Sequence, residues 1–161
     1  GDYAERAADG SFLFFGRSDD VMNVGGVRIG TGQLEAALFK HKKIHGSDSA
    51  LANCAVVGAA DAIKGQVPVA FVVPAAGRQI DGPVQAELQA LAIEAVGVLG
   101  APAWFAVVQA LPQTRTGKYL RRLLRDIANG VEAAEPDAGR VNPESLEQAK
   151  AAVVERFKRH R

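Results

Sequence analysis

Residues 16–35 read "GRSDDVMNVGGVRIGTGQLE", and the fold turns on how this stretch is divided. Residues 21–24 and 27–29 are short β-prone runs, and Gly25-Gly26 separates them. Two short strands around a glycine pair predict a hairpin with a two-residue turn. Thr31 then sits where a helix N-cap belongs. Leu34, Ala37, Leu38 and His41 recur at helical spacing, so a helix is expected over residues 32–41. A hairpin running straight into a helix already points to an α/β fold.

Downstream, residues 43–53 are polar and contain glycine, and read as a loop. Residues 54–57 form a short buried strand, and residues 66–73, "QVPVAFVV", a second one rich in β-branched residues. Pro68 predicts that this second strand lies at a sheet edge or carries a bulge. Residues 83–99 carry Val84, Leu88, Leu91, Ala92, Ala95 and Leu99 on one helical face. Residues 104–111 are a third strand. A loop over 112–117 leads to a helix over 119–128 that Gly130 closes. Residues 132–139 form an acidic linker. Asn142-Pro143 opens a last helix, with Leu146, Ala149, Val153 and Phe157 as its stripe. Upstream, residues 11–15 are a strand after a turn at Asp9-Gly10. The expected fold is α/β: a small two-layer domain with a β-hairpin and a central three-stranded sheet flanked by helices.

At 161 residues, with 48% hydrophobic and 23% charged positions, the chain can bury a core. Its formal net charge of +1 provides no overall basic field for nucleic acid. No apolar run approaches the roughly 20 residues of a membrane span. The single cysteine, Cys54, excludes an internal disulfide and suits a reducing, cytoplasmic setting. The start at Gly1-Asp2-Tyr3 reads as a piece of a longer protein.

Two glycine-containing segments invite a nucleotide-loop reading, and both fail it. "TRTGK" has proline five residues before Gly117 and tyrosine after Lys118, against the P-loop pattern. "GGVRIGTG" lacks the G-x-G-x-x-G spacing. His41 and His45 are four apart, as zinc ligands on a helix are, but no third ligand follows at a sensible spacing. Cys54 has no partner base and reads as core. Arg121, Arg122 and Arg125 read as a solvated helix face, without the aromatic interleaving of single-strand nucleic-acid binders. A basic-helix nucleic-acid module is therefore the non-enzymatic alternative. Two features remain. One is the cluster of Arg17, Asp19, Asp20 and Arg28 around the hairpin. The other is a lysine after a flexible loop, a compact cation able to reach a phosphate or carboxylate.

Together the segments resemble the C-terminal domain of AMP-forming acyl-CoA synthetases, within the adenylate-forming superfamily. The hinge pattern G-R-x-D-D-x-x-x-V-x-G-x-R-[IL]-G-T-x-x-[IL]-E is matched by Gly16, Arg17, Asp19, Asp20, Val24, Gly26, Arg28, Ile29, Gly30, Thr31, Leu34 and Glu35. The closing pattern L-P-x-T-R-[ST]-G-K-x-x-R-R is matched by residues 111–122. "DAIKGQVPVAFVVP" resembles the short-chain branch, the acetyl- and propionyl-CoA synthetases, and "VNPESLEQAK" resembles the end of the propionyl type.

The resemblance implies ATP, Mg and CoA as cofactors and a short-chain carboxylate (propionate, 3-hydroxypropionate or acetate) as substrate. It implies Lys118 as the catalytic adenylation lysine, open to acetylation. Asp2, Arg17 and Arg28 would bind ATP or AMP, and Asp19 would be the hinge. Gly25 and Gly26 would line the CoA path. A magnesium ion would sit at Phe39, His41 and Ile44. Three departures stand out. The hairpin has Gly25-Gly26-Val27 where a histidine is usual in the third place, the loop over 43–53 is long, and an arginine near Ile93 is absent.

Residues 1–18 are then expected to be the last segment of a large N-terminal adenylation domain. Residues 19–130 would be the mobile C-terminal domain, and residues 131–161 a linker and C-terminal helix. The large domain is the expected partner, and the fragment alone is expected to be inactive. The long loop and tail fit a synthetase fused to downstream catalytic domains, as in multifunctional propionyl-CoA synthases. The alternative within the superfamily is an adenylation domain that loads a carrier protein.

Overall fold

The computed structural model describes residues 2–17, 20–131 and 143–159, with side chains described at 6–11, 20–131, 144–156 and 158. Strands β1 (Asp2–Arg6) and β2 (Phe12–Arg17) pair antiparallel in a small sheet of their own. The turn between them uses Asp9, whose carboxylate accepts from the Ser11 N–H and hydroxyl.

The main sheet has five strands. β3 (Val21–Val24) and β4 (Val27–Gly30) form the expected hairpin. Gly25 and Gly26 have φ of 58° and 86°, as a tight two-residue turn requires. β5 (Leu51–Asp61) and β6 (Gly65–Pro74) are long antiparallel partners, and β7 (Trp104–Val107) pairs parallel with β6. The hairpin joins through Val24 and Gly65, which is why the sheet has five strands and not three.

β6 is central, not an edge strand. Pro68 is tolerated because it lies between the β3 and β7 pairings. Its carbonyl accepts from Ala103 N at 2.8 Å, so its nitrogen faces that same notch, where no ladder partner loses a donor. The irregularity in the β5–β6 ladder falls instead between Leu51 and Asn53.

Helices cover both faces, adding a layer to the two expected. α1 (Thr31–His45) and α2 (Gly82–Gly100) pack on Met22, Val24, Cys54, Val56, Ala70 and Val72. α3 (Arg121–Ala128) and α4 (Pro143–Arg159) pack on Ala55, Val57, Val69, Phe71 and Ala106. Alternate residues of β5 and β6 thus enter opposite cores. That is why both strands read as continuous apolar runs, not as alternation.

α1 begins after Gly30 as N-cap, and Thr31 makes no capping bond. It runs to His45, followed by a 3₁₀ turn over Gly46–Asp48, so much of the expected loop is helix. Asp81 caps α2 through a bond from Val84 N, and Gly97 (φ 80°) kinks that helix. Gly130 (φ 67°) closes α3 as expected, with Gly130 N donating to Ile127 and Val131 N to Asp126. Leu146, Ala149 and Val153 bury the α4 stripe. The linker over 132–139, the Asn142 cap and the Phe157 side chain lie outside the described residues.

Candidate functional site

Lys118 stands exposed at the end of a tight turn, where a flexible loop was expected. Gly117 N donates to Thr114 O at 3.0 Å, and Gly117 takes φ of 82°. Thr114 N donates to Lys118 O at 2.8 Å, and Lys118 N to Thr114 Oγ1 at 3.2 Å. Gln113 and Tyr119 form a bridge below the turn. A type of turn that needs positive φ at Gly117 explains the T-x-x-G-K order. Lys118 borders a groove of about 800 Å³ whose walls include Asp20, Tyr119, Arg122 and Arg125.

The base of this turn is braced at two points that sequence reasoning missed. Tyr119 Oη accepts from Asn53 Nδ2 on β5. Arg121, the first residue of α3, forks onto Glu35 of α1, with Nη1 donating to Oε1 and Nη2 to Oε2, the latter at 2.9 Å. Its Nε also lies 3.9 Å from Asp20. Arg121 is therefore not part of a solvated face. Burial works against its charge, but the bonds and charge of Glu35, with Asp20 and Cys54, outweigh it and hold the guanidinium above its ordinary value. Glu35 Oε1 also accepts from Val56 N at 2.8 Å, capping an outward N–H of edge strand β5. Glu35 lay inside the hinge motif and Arg121 inside the closing motif. That shared membership was the only signal of their pairing.

Gly25 and Gly26 lie elsewhere, at the exposed hairpin tip. Gly25 N donates to Lys64 O at 2.8 Å, which ties this tip to the β5–β6 turn. Asp61 organises that second turn by accepting from Ile63 N and Lys64 N. Leu99 of α2 packs so close that a Cβ at Gly25 would meet it at 3.0 Å. Arg28 lies on β4 opposite Asn23, with its side chain exposed. Asp2 and Arg17 are register partners across β1 and β2, but their side chains are not described. Asp19 lies outside the described residues. The lysine turn and the glycine hairpin are thus carried by different elements and do not form one cluster.

Of the three positions expected to hold magnesium, only His41 has a side-chain ligand atom. The carbonyls of Phe39 and His41 lie inside α1, where the i to i+4 ladder engages them. What gathers at His41 is nitrogen-rich. Glu87 Oε2 of α2 lies 3.2 Å from His41 Nε2 and 2.8 Å from His45 Nε2. A third side chain able to ligate, absent from the local sequence, therefore comes from another helix. Burial, and then the neighbouring His45, lower the His41 pKa against the opposing pull of Glu87. Cys54 is core, as expected: burial first, and then Glu35, push its thiol up to about 12. No described helix is long and apolar enough to cross a membrane.

Known proteins share the sequence and the fold of this chain. Residues 33–118 match the AMP-binding enzyme C-terminal domain. An acetyl-coenzyme A synthetase of Pyrobaculum aerophilum is 41% identical over 156 residues, covering 96% of this chain and 22% of that enzyme. A propionate–CoA ligase of Escherichia coli is 39% identical over 160 residues, covering 96% and 24%. An anthranilate CoA ligase solved with anthranoyl-AMP superposes with a TM-score of 0.67 at 30% identity, covering 80% of this chain and 24% of that one. An acetoacetyl-CoA synthetase from Streptomyces lividans shares the fold, with a TM-score of 0.73 at 20% identity over 97% of this chain and 22% of that one. The chain spans about a quarter or less of the length of each of these relatives. The family match covers the hairpin-following helix, both long strands and the lysine turn, and the chain belongs to the AMP-binding enzyme C-terminal domain family.

Proposed function

We propose that this chain is the mobile C-terminal part of a cytoplasmic, AMP-forming, short-chain acyl-CoA synthetase. The observation that carries the reading is Lys118, an exposed cation on a turn braced from β5 and α1, in a family of AMP-binding enzymes. In the first half-reaction, a carboxylate oxygen attacks the α-phosphorus of ATP. The acyl–phosphate bond forms and pyrophosphate leaves. Lys118 neutralises charge that builds on the carboxylate and phosphate oxygens. The second half-reaction is attack of the CoA thiolate on the acyl carbon, with AMP as leaving group. Gly25 and Gly26, without side chains, let pantetheine pass close to the hairpin backbone, and Arg28 beside them meets phosphate. The separation of the two features on the domain suits a rotation about Asp19 that exchanges them. Asp2 and Arg17, paired across the two strands that precede that hinge, contact the nucleotide. Acetate- and propionate-activating relatives support a short-chain acid, and their naming as CoA enzymes favours CoA over a carrier protein.

The test is ATP–pyrophosphate exchange by the chain joined to its large domain. Lys118→Ala should lower exchange by about 100- to 1000-fold, the scale of one lost charge-stabilising donor. Thioester formation from preformed acyl-adenylate should persist. Equal loss of both half-reactions would remove the proposed division of labour. Exchange by the 161-residue chain alone would show that it does not depend on a large domain.

A further inference from the structure

The His41–His45–Glu87 cluster is not used by the chemistry above. His41 and His45 project from the last turns of α1, and Glu87 from α2. Their candidate ligand atoms all lie within 4.8 Å of one another. The two imidazoles converge on one carboxylate oxygen, at 3.2 and 2.8 Å, with ring centroids 4.3 Å apart. A tetrahedral ion with bonds of about 2.0–2.1 Å places its ligands about 3.3 Å apart, near the two nitrogen–oxygen separations. His41 is 3% exposed and its ring is oriented from behind, because Nδ1 lies 2.7 Å from Ser49 Oγ. Ser49 Oγ lies 3.4 Å from Leu51 O and accepts from Leu51 N, so it can give its proton to that carbonyl and take one from Nδ1–H. That tautomer leaves the Nε2 lone pair directed at Glu87. Outer partners of this kind fix ligand histidines in metal sites. His45 and Glu87 are partly exposed, which leaves a way in and a fourth position for water.

We propose that His41 Nε2, His45 Nε2 and the Glu87 carboxylate form a site for an imidazole-preferring divalent ion of the zinc class, clipping the end of α1 to α2. Two nitrogens and one carboxylate suit zinc, whereas magnesium takes oxygen ligands in an octahedron. The donor set shares His41 with the magnesium positions that the resemblance implied, but its other two ligands and its ion class differ. The inference does not depend on the proposed synthetase activity.

The test uses the untagged 161-residue chain, stripped with a chelator and titrated with zinc against a colorimetric competitor. One zinc per chain is expected, with a rise in Tm on binding and an intense visible band when cobalt(II) replaces zinc. His45→Ala and Glu87→Gln should each weaken zinc by at least about 10-fold, and Ser49→Ala by roughly 10- to 100-fold. Cys54→Ala should leave binding unchanged. Because His45 and Glu87 are partly exposed, circular dichroism should find these variants folded. The proposal is overturned if the wild-type chain takes up no stoichiometric zinc. It is equally overturned if a folded His45→Ala/Glu87→Gln double variant binds zinc as the wild type does, or if magnesium displaces zinc at equal concentration.

Discussion

Removing the Glu35 carboxylate tests how the lysine turn is held. Glu35 accepts two bonds from Arg121 and one from Val56 N, and the two side chains are 12% and 24% exposed. Losing one partner of a fully buried pair costs about 3–5 kcal/mol, whereas exposed pairs contribute about 0–1 kcal/mol. This pair lies between those limits, because water reaches Arg121 more readily than Glu35. An uncapped Val56 N–H adds about 1 kcal/mol, the low end for an orphaned buried donor. Glu35→Ala should therefore destabilise the chain by about 3 kcal/mol. Glu35→Gln keeps an acceptor for Val56 N and one neutral bond to Arg121, so about 1–1.5 kcal/mol is expected. Urea unfolding followed by circular dichroism reads both values, and a cycle with Arg121→Met isolates the pair. A coupling of about 1–2 kcal/mol is expected for groups in direct contact. The reasoning fails if Glu35→Ala lies within about 0.5 kcal/mol of wild type at unchanged denaturant slope, the range of an ordinary surface change.

Cys54 should resist iodoacetamide at pH 8 in the folded chain and react on unfolding, read by mass spectrometry; fast native labelling would contradict its burial. Its raised pKa also sets a sign: the unfolded thiol ionises first, so this contribution to stability is intact below about 9 and is lost as pH rises toward about 12. Gly25→Ala should cost about 1–2 kcal/mol, because φ is 58° there and the new Cβ meets Leu99; pairing it with Leu99→Ala should recover only the contact part. Lys118→Gln, which mimics acetylation, should leave Tm unchanged while lowering adenylation in the joined enzyme by about 100- to 1000-fold, and acetyl-lysine at 118 should be found in peptides from cells. A Tm drop of several degrees would instead give Lys118 a structural role.

Much of the fold was legible because its signals are local. Gly25-Gly26 between β-prone runs specifies a hairpin, since few other residues tolerate that backbone. Gly130 after an amphipathic run specifies a helix end. Pro68 misled because a missing donor matters only where a partner would use it, and the notch between β3 and β7 is not visible along the chain. The loop over 43–53 misled because its polar residues extend α1 by a turn and place His45 toward Glu87.

The sequence by itself determined the backbone punctuation, the two motifs and Lys118 as the residue to follow, because these depend on residue type and spacing alone. Only the tertiary structure decided that Glu35 and Asn53 hold the lysine turn from behind, and that Glu87 completes a cluster with His41 and His45. These contacts join residues that lie 86, 66 and more than 40 positions apart. Helix and strand periodicity constrains neighbours along the chain. It does not say which faces of distant elements the folded core presses together.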